Sequence, residues 1–407
     1  MASNFWLCWR SMFAFETWHS AIEMKRYLAR FVHQILGLKD LHTLKFTRYN
    51  QQESLSRPLA TWLADQGVVF RHGVKVTNVT VNVSGGKKVA AHLDWLENGA
   101  SAGVDLGPAE LVFVTNGSMV ENSRWGDHHT PAPIDTTIGE GSVWQLWRNL
   151  AAQDAAFGNP DVFCSDTTKS RWLSATVTTR DARIPELVKR VTGRDPFSGK
   201  IITGGPVTIA DSSWLMSWVV SRQPHFKGQP EGQMVAWLYG LFSDVLGDYV
   251  KKPMQDCTGE EITREWLFHM GVPVDQIDDM AATGATTRPC MMPFITAQFM
   301  PRAPADRPKV VPDGSVNLAF LGQFAETPRD TVFTTEYSVR TAMEAVYTLW
   351  GVRRAVPEVS DGIFDVRMLL QAAAELRDGE KVPASGLIRH LTQGTEIDDL
   401  LERYGLV

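Results

Sequence analysis

The sequence predicts an α/β fold in which a parallel-strand domain is interrupted by an inserted α+β domain and closed by a helical C-terminal cap. Three observations point there. The run Leu111-Val112-Phe113-Val114 leads straight into Thr115-Asn116-Gly117-Ser118, and a strand buried on both faces reads as just such an unbroken apolar run. Leu318–Leu321 repeats the pattern, ends at Gly322, and is followed by a loop and a helix expected to begin near Thr334 or Thr335. Between them, residues 126–310 carry mixed helix and strand signals separated by loops rich in Pro, Gly and Asp. The expected units are 1–125 and 311–350 for the split domain, 126–310 for the insertion and 351–407 for the cap.

Taken in order, the first eighteen residues crowd Phe5, Trp6, Trp9, Phe13, Phe15 and Trp18 together. Six large aromatics need a core, so residue 1 is expected to fall inside a domain, where ordinary chain ends are polar and frayed. Trp18, Ala21, Ile22, Leu28, Phe31, Val32 and Ile35 recur at helical spacing up to Gly37; with Met24 and Tyr27 on a second stripe, this helix is expected to be buried on most sides. A helix near Glu53–Ala64 ends at Gly67. Strands follow at Val68–Phe70, Val74–Val76, Val79–Val83 and Val89–Trp95, with turns at Ser84-Gly85-Gly86 and Asn98-Gly99. Within the insertion, helices are expected near Val143–Ala151, Glu186–Thr192, Gln233–Ser243 and Glu260–His269, and strands near Ser174–Val177, Lys200–Ile209 and Trp214–Val220. Residues 351–407 alternate short helices with Pro and Gly.

Composition narrows the function classes. With 44% hydrophobic and 21% charged residues the chain is an ordinary globular one, and a formal charge of −6 gives no electrostatic reason to expect nucleic acid. Fourteen Trp and nineteen Phe imply large apolar surfaces and room for an apolar ligand. The four cysteines are dispersed without a CxxC pair, so reduced thiols in a cytoplasmic protein are the expectation. No apolar run reaches the roughly 18 residues of a membrane span.

Ligands of doubly wound folds sit at the carboxyl ends of parallel strands, and a following helix N-terminus offers free N–H groups and partial positive charge. Those features suit the electron-rich pyrimidine edge of a flavin. The expected cofactor is FAD, held by Asn116, Gly117, Gly322, Gln323, Phe324, Ala325, Glu326, Thr334 and Thr335. The fold is therefore expected to be an FAD/NAD(P)-binding Rossmann-like domain with its first βαβ unit missing, because no G-x-G-x-x-G occurs and Gly139-Glu-Gly141-Ser-Val-Trp lacks the third Gly.

Longer words in the sequence are more specific: NFWLCWRSMFAFETWHSAIEMKRYLARF (4–31), LKFTRYNQQES (44–54), FVTNGSM (113–119), RDPFSGK (194–200), GLFSDVLGDYVKKPM (240–254) and FLGQFAETPRDTVFTTEYSVRTAMEAVY (320–347). By these the chain resembles the oleate hydratases, also called the myosin-cross-reactive antigen family. The resemblance implies an FAD-dependent hydro-lyase that adds water to the cis-9 double bond of unsaturated fatty acids, giving 10-hydroxy fatty acids without net redox. It implies that Tyr27 donates the proton and that Gln51, Ser221 and His225 hold the fatty acid carboxylate. The family usually has Thr and Asn where this chain has Val219 and Ser221, and Tyr where it has Gln52. The family's R-G-G-R-E segment, whose Glu activates water, does not occur in this sequence. The alternative readings are a truncated, inactive chain that still binds fatty acid, and, less favoured, a redox flavoenzyme.

The remaining features have plainer readings. His128-His129 lies in a polar loop with no carboxylate or Cys at metal spacing, so no metal is expected. Cys290-Met-Met reads as core. Glu326 and Asp330 fall in the flavin loop. Arg353-Arg354 with Leu387, Ile388, Leu391, Leu400 and Leu401 suits either a packed cap, the preferred reading, or peripheral contact with a membrane. A homodimer is one assembly the sequence allows, without setting the oligomeric state.

Overall fold

The structure is a computed structural model that describes residues 4–37, 45–328, 330–359, 362–377 and 380–407. Strands β1 (Val74–Ser84), β2 (Lys87–Glu97) and β3 (Ala100–Asp105) form an antiparallel sheet in that order. β4 (Val112–Thr115) follows. A six-stranded antiparallel sheet is then built from β5 (Arg124–Trp125), β6 (Trp172–Thr179), β7 (Val207–Thr208), β8 (Met216–Val219), β9 (Met234–Gly240) and β10 (Ala285–Met292), in the order β5-β10-β6-β9-β8-β7. β11 (Leu318–Leu321) returns to pair with β4 in parallel. The class is mixed α/β, as the alternating signals indicate.

The helices are α1 (Asn4–Phe13), α2 (Ala21–Phe31), α3 (Arg57–Asp65), α4 (Val143–Ala151), α5 (Asp161–Cys164), α6 (Thr167–Ser170), α7 (Arg183–Thr192), α8 (Gly259–His269), α9 (Val274–Gly284), α10 (Thr335–Leu349), α11 (Val366–Leu376), α12 (Ser385–Thr392) and α13 (Glu396–Arg403). α8 shows why sequence fixes some ends sharply. Thr258 accepts from the Glu261 N–H while the Glu261 carboxylate takes the Thr258 N–H, a reciprocal cap. α8 and α9 lie along β10, and Trp266, Leu267, Ile277, Met280, Trp218 and Leu238 are among the fully or nearly fully buried side chains of the core beneath them.

Several expected elements differ. The helix foreseen over Gln233–Ser243 is the strand β9, buried at every position but Trp237. A short apolar run has no decisive period, and the β-branched and aromatic residues Val235, Trp237 and Tyr239 settle it as a central strand. The strand foreseen over Lys200–Ile209 shrinks to Val207–Thr208, since Gly204-Gly205-Pro206 breaks it. Val68–Phe70 pairs with nothing in a ladder and is exposed. Val74–Val76 and Val79–Val83 are one strand with a register shift between Val76 and Asn78. The helix foreseen over residues 18–35 starts at Ala21 and tightens to a 3₁₀ turn over Val32–Gly37, the side chain of Ile35 lying outside the described residues. It buries Glu23 and Tyr27 while Ile22 is 52% exposed, so burial is confined to one face.

Parallel pairing of β4 with β11 matches Val112 with Leu318 through to Thr115 with Leu321. Asn116 and Gly322 therefore leave the two strands side by side. Asn317 ties this pair to β2: its side chain accepts from Ala90 N–H at 2.8 Å and donates to the Ala90 carbonyl at 3.0 Å.

Candidate functional site

The loop after β11 is held shut mostly by its own polar groups. Gly322 N–H donates to Thr341 Oγ1 at 3.0 Å, and Asn116 Nδ2 reaches across from β4 to the Phe324 carbonyl at 3.1 Å. Gln323 donates to the Thr334 carbonyl and to Ser338 Oγ, and accepts from Phe333 N–H. Thr334 caps α10 by accepting the Tyr337 N–H, and Tyr337 in turn donates its hydroxyl to the Ala325 carbonyl at 2.5 Å. Asn116, Gly117, Gly322, Gln323, Phe324, Ala325, Glu326, Thr334 and Thr335 are thus brought into one neighbourhood. Phe324 and Ala325 are buried, and Phe324 packs on Trp144, Trp147 and Phe163. Gly117 has φ +67°, and a Cβ there would meet the Phe324 and Trp144 rings at 2.8–2.9 Å. Among the described residues, Asn116 Oδ1 and Thr331 Oγ1 are buried here with no hydrogen-bond partner.

α2 docks against this loop through charge. Glu23 is fully buried, and its Oε1 lies 2.9 Å from Arg302 and 3.2 Å from the buried Arg307. Arg302 also pairs with Glu326 at 2.7 Å, and Arg26 closes on the other oxygen of the same carboxylate. Glu326 is therefore held by two arginines, one from α2. One turn after Glu23, Tyr27 is fully buried among Trp9, Phe13, Phe15 and Phe299, and donates its hydroxyl to the Val332 carbonyl at 2.7 Å. Burial, reinforced by Glu23, raises the Tyr27 pKa well above its usual value, with Arg307 opposing.

A cavity of about 1330 Å³ opens beside α2. Its wall includes Trp9, Phe13, Leu28, Phe31, Val219 and Phe333, and at one side Gln51, Ser221 and His225. Asn50 N–H donates to the His225 carbonyl at 2.9 Å, which brings the segment before α3 against the loop after β8. Burial lowers the His225 pKa, with Glu53 opposing. Tyr27 is not part of this wall, although its neighbours Trp9, Phe13 and Phe31 are. The three residues expected to hold a carboxylate line the same cavity, and the expected proton donor does not line it.

The polar loop at His128-His129 gains a carboxylate that spacing did not foretell: Glu260, at the start of α8, lies 3.5 Å from His129 Nδ1. The His128 Nδ1 accepts from Thr287 N–H, which places the ring proton on Nε2 and removes a lone pair that a metal would need. Asp248, Glu265 and His269 also gather. Buried Glu265 spends its oxygens on the N–H groups of Asp248, Tyr249 and Val250, clamping that loop. The cysteines are free, Cys8 exposed and Cys164, Cys257 and Cys290 buried, the last as the core reading expects.

Residues 1–347 match the MCRA family. The chain belongs to that family. This MCRA chain is 48% identical over 417 residues to an oleate hydratase of Streptococcus pyogenes serotype M49 (strain NZ131), covering 100% of this chain and 70% of the relative. It is 31% identical over 369 residues to a linoleate hydratase of Lactiplantibacillus plantarum, covering 86% of this chain and 64% of that relative. The family expected from the sequence words is the family found. The Glu23, Arg302 and Arg307 cluster was not foreseen. A lone Glu at the buried stripe of AIEMKRYLARF was its signal, but the arginines come from a distant segment that spacing cannot reach.

Proposed function

We propose that this MCRA chain adds water across the double bond of an oleate-like unsaturated fatty acid. Whole-chain likeness at 48% identity to an oleate hydratase carries the reading. The cavity supports it: long apolar walls on α1 and α2 suit an alkyl chain, and Gln51, Ser221 and His225 offer polar atoms at one side. An isolated alkene is not electrophilic, so a proton must reach one carbon as water attacks the other. Tyr27 is the proposed donor. Its raised pKa keeps it protonated at neutral pH, and its proton is free for substrate only when the Val332 carbonyl gives it up.

FAD is the proposed cofactor, in keeping with a Rossmann-like reading of β4, β11 and α10. The unpartnered Asn116 Oδ1, the positive-φ Gly322 and the N-terminus of α10 capped by Thr334 suit its polar edge. When bound, the flavin would shape the site's electrostatics without net redox change. The split at residues 125, 310 and 350 and the cap over 351–407 belong to the same proposal, as does a cytoplasmic location with contact at a membrane surface. Among the described residues no helix is long and apolar enough to cross a membrane.

A second reading, fatty acid binding without turnover, is favoured by one observation: Tyr27 is sealed behind the cavity wall with its hydroxyl committed. Incubation with oleate and FAD, followed by mass spectrometry, separates the two. A fatty acid heavier by one water supports hydration; oleate bound but recovered unchanged supports the second reading.

A further inference from the structure

Away from the cavity, Asp248, Glu265 and His269 bring three metal-ligating atoms within 4.8 Å of one another. Glu265 and His269 lie four residues apart on α8 and so project from one face, and Asp248 comes from the loop between β9 and α8. Both carboxylates are oriented by donors. Ser213 gives its hydroxyl to Asp248 Oδ1 at 2.5 Å and its N–H to Oδ2 at 2.8 Å. Glu265 Oε2 takes the N–H groups of Tyr249 and Val250, while Oε1 takes that of Asp248 at 2.6 Å. A carboxylate oxygen can accept twice, so Oε1 and Asp248 Oδ2 each keep a lone pair. His269 Nε2 faces those two oxygens, 3.3 Å from Glu265 Oε1 and 3.4 Å from Asp248 Oδ2, and makes a hydrogen bond to neither. Its side chain is only 7% exposed. An imidazolium N–H between two carboxylates settles at about 2.7–2.9 Å from one of them. The wider spacing is the one a shared ion imposes: bonds of about 2.0–2.1 Å in a tetrahedron set neighbouring ligand atoms about 3.3–3.4 Å apart.

We propose that Asp248 Oδ2, Glu265 Oε1 and His269 Nε2 bind a divalent transition metal of the zinc class, with water as the fourth ligand. Two carboxylates and a neutral imidazole balance the charge of a divalent ion, and the mixed oxygen and nitrogen set falls short of the six to eight oxygens that calcium takes. α8 ends at His269, where the partial negative charge of the helix C-terminus adds to the attraction for a cation. Asp248 is 30% exposed, which gives an ion its route in from solvent and a place for the water. None of the three residues lines the cavity, so the ion's task is structural: it ties the loop at Asp248 to the last turn of α8. This gives the word GLFSDVLGDYVKKPM a physical role. The assignment stands apart from the fatty acid reading and survives its failure.

Titration of the full chain with cobalt(II), after dialysis against a chelator, tests it. Cobalt takes zinc's geometry and reports it, since four-coordinate cobalt absorbs visible light far more strongly than six-coordinate cobalt. The expected result is a strong visible band that saturates at one ion per chain and is abolished by added zinc. Asp248→Asn, which keeps an oxygen for Ser213, and His269→Ala are each expected to weaken the band's affinity by at least about tenfold, the loss that even a hydrogen-bond partner of a ligand can cause. His129→Ala, at a histidine 76% exposed elsewhere on the surface, is expected to leave it unchanged. Zinc is expected to raise the thermal unfolding midpoint of the unsubstituted chain and of His129→Ala, and to leave that of Asp248→Asn unmoved. Should His269→Ala not fold, Asp248→Asn decides. A weak six-coordinate spectrum, no binding, or a band that Asp248→Asn leaves intact overturns the assignment.

Discussion

Glu23 sits on α2 with its carboxylate withdrawn from solvent, and Arg302 and Arg307 close on one of its oxygens. Removing one partner of such a cluster leaves an uncompensated buried charge, which costs about 3–5 kcal/mol. Glu23→Ala is therefore expected to lower stability by that amount in urea unfolding, and Glu23→Gln by less, because an amide oxygen still accepts. An exposed ion pair such as Arg71 with Glu97 serves as the contrast, expected to change stability by about 1 kcal/mol or less on loss. His19 makes the molecule acid-sensitive in a predictable direction. Burial drives its imidazole down to about 4, and its Nδ1 accepts the Glu16 N–H at 2.9 Å. The unfolded chain takes up this proton near pH 6.5 and the folded chain only near 4, so stability is full above 6.5 and falls as pH drops through that window. The shift corresponds to roughly 3 kcal/mol. His19→Asn, which keeps an acceptor for Glu16, is expected to flatten the decline in unfolding free energy between those pH values; an unchanged slope would assign it to other groups.

At the scale of elements, the loop after β11 depends on two small features. Thr334 caps α10, and Thr334→Ala is expected to cost about 1 kcal/mol. Gly117→Ala is expected to cost more, about 1–3 kcal/mol, since the added methyl meets two buried rings and the backbone has φ +67°. Gly322→Ala, whose nearest neighbour is Thr115 Cγ2 at 3.3 Å, is expected to be the milder of the two in the same unfolding series. The cap of α10 and the strands β4 and β11 were legible because each is local: an apolar run, a Gly, a Thr three residues before Tyr337. β9 was not, because the six apolar residues Met234–Tyr239 before Gly240 satisfy a buried helix and a buried strand equally well. α9 and β10 were missed for a related reason. Their surface carries Asp and Thr, and only the burial of alternate residues in β10 reveals the strand.

For the whole molecule, the mixed α/β class and the return of the chain to its first parallel strand followed from sequence. What escaped was contact across distance. Nothing in the spacing of Gln51, Ser221 and His225 says that they share a wall, since Asn50 meets His225 only through folding. Nor could it show that Tyr27, in the middle of an aromatic helix, would commit its hydroxyl to the Val332 carbonyl. On the proposed reading the chain is a fatty acid hydratase, and Tyr27, the proposed proton donor, must be released from the Val332 carbonyl to act. The most direct measurement is reaction of the chain with oleate and FAD in water enriched in heavy oxygen, read by mass spectrometry alongside the flavin spectrum. The expected result is a hydroxy fatty acid carrying one heavy oxygen, with the flavin spectrum the same before and after, and no product from Tyr27→Phe. Unreacted oleate, or a product lacking the label, would contradict the account.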